Sequence, residues 1–147
     1  MNINTARFGE LKVNEDEIIH FKEGLFGFEN LKRYIIFQME EDNPLMWMQA
    51  IDDGDLAFIL ISPFEFRPNY SLKLADKDVE ELELASPEDT NIFAIVVLPE
   101  DSSKMTANLQ GPIVINKIKK LGKQVISTNP KHKLKHYILE EIQGNIG

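Results

Sequence analysis

Thr106–Asn116 reads TANLQGPIVIN, and its two halves carry different patterns. In the first half Thr106, Asn108 and Gln110 alternate with Ala107 and Leu109, the period of a half-buried strand. Gly111-Pro112 interrupts that period. Glycine supplies unusual backbone angles, while proline fixes its own and removes a ladder donor, so the chain is expected to bend or bulge here. Ile113-Val114-Ile115 then forms a short β-branched run, as in a buried strand. Asn108 is read as satisfying backbone groups at the bulge. Gln110 stays open between that role and recognition of an incoming peptide backbone by strand addition.

Working outward, the same short-strand grammar recurs. Strands are expected at Ile3–Phe8, Glu10–Val13, Ile18–Phe21, Arg33–Met39, Leu45–Ile51, Leu56–Ser62, Tyr70–Leu74 and Ile92–Leu98. In Leu45–Ile51 the residues Leu45, Trp47 and Gln49 fall on one side, and Met46, Met48 and Ala50 on the other. Asp52–Asp55 closes a hairpin. Lys117–Lys123 turns through Gly122, and Gln124–Ser127 pairs back. Asp76–Leu84 breaks the pattern as one short helix with Asp76 as its cap, and Ser86-Pro87-Glu88 starts a further turn. Turn signals every ten residues or so imply a mainly β fold: a small closed or barrel-like antiparallel domain with one short helix. The barrel is assigned to residues 1–130. A basic tail, 131–147, is left as helical or disordered, with Leu134, Tyr137, Ile138, Leu139 and Ile142 as the apolar residues of any helix.

The chain has 147 residues, 43% hydrophobic, enough for one core. It has no cysteine, which removes disulfides and thiol chemistry. Met1–Glu17 lacks the apolar stretch of a signal peptide, and no apolar run approaches the roughly 20 residues that span a bilayer. A cytoplasmic protein is therefore expected. The net charge of −8 is uneven. Residues 1–116 hold 22 acidic and 9 basic side chains, a net −13; residues 117–147 hold seven lysines and two glutamates, a net +5. An acidic body repels phosphate and suits basic protein partners.

Candidate chemistry is thin. His20 is the only histidine before the tail, and no serine sits in a nucleophile motif. His132 and His136 share a helical face if the tail is helical, but the Lys133-Leu134-Lys135 between them favours a solvated basic face over a metal site. Asp52-Asp53-Gly54-Asp55 resembles a calcium loop until its twelfth position, which is Pro63. No metal or cofactor is expected, and no enzyme activity. Phe26 and Phe28 cover a barrel end or form a partner patch, the first being preferred. Asp76, Asp78, Glu80, Glu81, Glu83, Glu88 and Asp89 face only Lys77, a net −6 in fourteen residues. They form either the outer face of a helix or a docking stripe. Lys117, Lys119, Lys120, Lys123, Lys131, Lys133 and Lys135 read first as a solvated turn or as charges that neutralise the acidic body. Direct RNA binding through the C-terminal lysines is the alternative.

The opening stretch also carries a resemblance. With Phe8-Gly9-Glu10, Gly24-Leu25-Phe26-Gly27-Phe28-Glu29, Leu56-Ala57-Phe58-Ile59, Ser62-Pro63-Phe64 and Gly122-Lys123-Gln124-Val125-Ile126, in that order, it resembles the bacterial flagellar assembly factor family FliW. Lys22 and Phe26 stand where members of that family often carry proline. The resemblance implies a small barrel-like β domain that is monomeric when free. It implies two protein partners, flagellin and the RNA-binding translational repressor CsrA, and relief of CsrA's repression of flagellin synthesis. No direct nucleic-acid contact and no membrane partner are implied. The partner-binding residues it suggests are Asp76, Asp78, Glu80, Glu81 and Glu83 for CsrA. For an apolar flagellin site Phe26, Phe28 and the Ile113–Ile115 strand are candidates, and Gln110 is a partner-binding candidate assigned to neither partner.

Overall fold

The strand that contains the TANLQGPIVIN stretch closes the molecule. In the computed structural model, which describes residues 1–146, Thr106–Asn116 is one continuous strand, β8. The others are β1 (Asn2–Thr5), β2 (Gly9–Lys12), β3 (Ile19–Phe21), β4 (Arg33–Gln38), β5 (Met46–Ala50), β6 (Ala57–Ile61), β7 (Thr90–Val97), β9 (Leu121–Gln124) and β10 (His136–Tyr137). Two helices, α1 (Asp76–Glu81) and α2 (Ile138–Ile146), complete the fold. Gly147, the last residue of the expected tail, lies outside the described residues.

Strands β3 to β9 form a closed ring. Neighbours are antiparallel except at the seam, where β3 runs parallel to β9. β7 lies along one edge of β8. The other edge is shared: the second half of β8 takes β9, and the first half takes β10. The Gly-Pro interruption is a bulge, as expected. Between the pairs Phe93–Ile113 and Ile95–Asn108, β7 has Ala94 alone while β8 has Leu109 to Pro112. Asn108 Oδ1 accepts from the amides of Gln110 (2.9 Å) and Gly111 (3.0 Å), the backbone role read for it from the alternation.

Phe21, Tyr34, Met48, Leu60 and Ile113 fill the barrel. Phe21, Met48, Leu60 and Ile113 each contribute roughly 1.5–3 kcal/mol by leaving water. The predicted two sides of β5 hold: Met46, Met48 and Ala50 turn to this core, while Trp47 packs outside it against Phe8 and Arg7. The β1–β2 hairpin covers one region through Ile3 and Val13, packed with Ile18, Ile35 and Ile51. A second cluster places Phe66, Tyr70, Leu109 and Ile138 together, so the chain beyond residue 130 contributes to packing through β10 and α2.

Four local expectations are corrected. Tyr70–Leu74 is not a strand: it takes part in no ladder among the described residues, and Tyr70 and Leu72 pack instead into the cluster around Phe66 and Leu109. The N-cap of α1 is Ala75, and Asp76 is the first helical residue. Gly122 lies within β9; the turn is Lys117–Lys120, with Lys120 at φ +55°. Gly122 is needed because any Cβ there would enter the Phe21 ring. Finally, the tail helix starts at Ile138, since His136 and Tyr137 pair with Ala107 and Thr106 on the edge of β8 that β9 leaves free.

Candidate functional site

Gly24–Glu29 builds the first wall of the site. Gly24 (φ +66°) admits no side chain, because a Cβ would lie 2.7 Å from the carbonyl oxygen of Phe28. Phe28 N–H donates to Leu25 O (2.8 Å), closing a tight turn with Gly27 at φ +88° in its third position. Phe26 therefore occupies the second position, where proline is favoured. Here its amide donates instead to Gln124 Oε1 (2.9 Å), a bond proline would lack. Gln124 Nε2 donates onward to Gly111 O (2.9 Å), so one buried amide ties the loop to the β8 bulge. Leu25 does the covering that was expected of the two phenylalanines: it is buried in the barrel core. Phe26 is 56% exposed and Phe28 39%, with Phe28 set edge-on against Phe58 at 5.4 Å.

These rings open onto a groove of about 450 Å³, lined also by Phe58, Ile95, Asn108, Gln110, Gln124, Ile126 and Leu134. Ile126 (69% exposed) and Leu134 (58%) extend its apolar surface. The structure thus brings Gln110 beside Phe26 and Phe28, although it lies 82 residues or more from either in the chain. It does not bring Ile113–Ile115 there: all three are buried. Sequence reasoning missed Gln124, Ile126 and Leu134. The signal available was Gln124-Val125-Ile126 following the glycine in β9, where alternation turns Val125 in and Ile126 out.

The acidic residues are placed on α1 and the turn after it. Paired bonds, Glu83 N to Glu80 O and Leu84 N to Val79 O, end the helix at a left-handed Glu83 (φ +53°). Asp78 (2.8 Å) and Glu81 grip Lys123 of β9. Glu83 pairs with Lys119 at 3.0 Å and with Lys22 at 3.6 Å, and Lys77 reaches Glu81 at 3.7 Å. Hydrogen bonds from Lys123 and Lys119 hold the Glu81 and Glu83 carboxyls below their ordinary range. Burial opposes charge on Lys123, but Asp78 and Glu81 outweigh it and raise its pKa. Two hairpin lysines, Lys119 and Lys123, therefore engage three of the seven carboxylates of the stripe. Asp76 and Glu80 take no ion pair among the described residues.

His132 and His136 do not form a solvated basic face. Both are 6% exposed, outside any shared helix. His132 Nδ1 is 2.6 Å from Ser127 Oγ, and His136 Nδ1 is 2.8 Å from Glu141 Oε2. Among the described residues no three His, Cys, Asp or Glu side chains gather as metal ligands, and no helix is long and apolar enough to cross a membrane.

Fold and groove together define a class: small closed β-barrels that keep an apolar trough open on one flank. The chain belongs to the FliW family, whose model, described as FliW protein, matches residues 2–138. It is 42% identical over 144 residues to the flagellar assembly factor FliW of Caldicellulosiruptor saccharolyticus, covering 98% of this chain and 94% of that one. It is 39% identical over 142 residues to that of Treponema denticola, covering 97% and 96%. A crystal structure of the flagellar assembly factor FliW superposes with a TM-score of 0.88 at 36% identity, covering 94% of this chain and 96% of that chain. This is a flagellar assembly factor by family, and its barrel is the family's fold.

Proposed function

We propose that this chain is a non-catalytic binding protein of the bacterial cytoplasm that holds flagellin in the Phe26–Phe28 groove and captures CsrA through α1. Capture of CsrA frees flagellin synthesis from repression, and excess flagellin restores that repression by occupying the chain. The observation that carries the flagellin half is the groove itself. Four large apolar side chains, Phe26, Phe28, Ile126 and Leu134, stand exposed around one trough. A patch of that kind suits the apolar face of a helical segment not yet packed in a filament. The amides of Gln110 and Asn108 at its edge supply the polar contacts that fix orientation.

The CsrA half rests on charge. Asp76 and Glu80 pair with no lysine among the described residues, while Asp78, Glu81 and Glu83 hold the helix in place and add to its field. A basic protein meets that face with complementary potential, which speeds encounter. The test is selective. Phe26→Ala is expected to weaken flagellin binding by about tenfold or more, in keeping with loss of a buried aromatic anchor. It should leave CsrA binding and the melting temperature unchanged, because the ring is exposed in the free protein. Equal loss for both partners with a lowered melting temperature would contradict the groove assignment.

A further inference from the structure

A second hollow, of about 780 Å³, lies between the Phe66–Ser71 segment, the chain from Lys131 and helix α2. Its wall contrasts with the rest of this acidic molecule. Arg67, Lys131, Lys133 and Lys135 line it, against Glu140 and Glu141. Glu141 is already committed: its Oε1 accepts from Arg67 at 3.0 Å and its Oε2 meets His136 Nδ1 at 2.8 Å. Lys131, Lys133 and Lys135 have no carboxylate partner among the described residues, unlike Lys119 and Lys123 in the hairpin.

His132 adds a directed donor. It is 6% exposed and lines this hollow. Ser127 Oγ already accepts the Asn129 amide (3.2 Å), so its own proton is free to go to His132 Nδ1 at 2.6 Å. A neutral ring then carries its proton on Nε2, which has no partner among the described residues. Burial, and next the charges of Arg67 and His136, lower the pKa of His132 and so favour the neutral ring. Tyr70 stacks on it with centroids 5.1 Å apart and fixes its plane. His136 offers no such donor, because its Nε2 accepts from the Lys133 amide at 2.8 Å.

We propose that this hollow binds a small multivalent oxyanion, whose phosphoryl or carboxylate oxygens accept from His132 Nε2–H and are neutralised by Lys131, Lys133 and Lys135. N–H donors with uncompensated cations are what such oxygens require, and the volume exceeds that of a single phosphate. A nucleic-acid strand fits less well, because two of the lysines that would continue a basic track, Lys119 and Lys123, are held by Glu83, Asp78 and Glu81.

The test titrates the whole protein with pyrophosphate, citrate and a short RNA oligomer at one fixed ionic strength, by calorimetry and by the histidine ring resonances. Pyrophosphate or citrate is expected to saturate one site, shift the His132 ring and leave exposed His20 unmoved. The tighter of the two names the oxygen chemistry. The triple variant Lys131→Gln, Lys133→Gln, Lys135→Gln is expected to weaken that binding by about tenfold or more with an unchanged melting temperature. Three results would overturn the proposal: no saturable shift at His132, undiminished affinity in the triple variant, or RNA that binds more tightly than either small anion.

Discussion

Asn116 is the last residue of β8 and is 2% exposed, and both ends of its amide are in use. Nδ2 donates to the carbonyls of Leu82 (2.9 Å) and Glu83 (3.2 Å), and Oδ1 accepts from the amides of Ile118 (3.0 Å) and Lys119 (3.1 Å). One side chain thus joins the end of α1 to the turn between β8 and β9. Each backbone group left buried without a partner costs about 1–3 kcal/mol. Asn116→Ala should therefore lower stability by roughly 3 kcal/mol in urea unfolding. A loss below about 0.5 kcal/mol, the range of a plain surface substitution, would contradict this role. Gln124 plays the corresponding part in the groove, where it spans the Phe26 loop and the β8 bulge.

At the scale of elements, α1 is a short helix held by charge. Its lowered carboxylates, Glu81 and Glu83, contribute stability above their ordinary, unfolded-state pKa, and that contribution is lost as pH falls through their lower folded values. Lys123 has the opposite sign: its pKa is raised, so its contribution is intact below the ordinary lysine value and lost only as pH climbs past the raised one. The melting temperature should be level through neutrality and fall in acid. Lys123→Ala should lower the plateau and make that acid limb shallower, leaving what Glu83 beside Lys119 and Asp52 beside Arg33 contribute. Scanning calorimetry from neutrality down to about pH 3 reads both effects. An acid limb of unchanged depth would contradict the lysine clamp.

Elements were legible where the signal was local. The bulge at Gly111-Pro112, the two sides of β5 and the amide role of Asn108 all follow from neighbours in the chain. Gln124 was not legible as a groove residue, because its partners Phe26 and Gly111 are set by barrel closure. The acidic stripe was visible as composition, but that its members divide between lysine clamp and open face depends on where β9 lies.

The whole molecule offers two surfaces that meet at one strand. Lys123 of β9 grips α1, while its neighbour Gln124 lines the groove. If both partners use this protein, any effect of one on the other must be reciprocal in binding free energy. A tenfold weakening of CsrA by flagellin, about 1.4 kcal/mol, requires a tenfold weakening of flagellin by CsrA. The measurement that tests the account most directly is calorimetry of the purified protein against flagellin and CsrA, each alone and then after saturation with the other. Binding of each alone, with equal and opposite-order weakening in competition, is the predicted result. Absence of binding to either protein at micromolar concentration and low ionic strength would contradict the account.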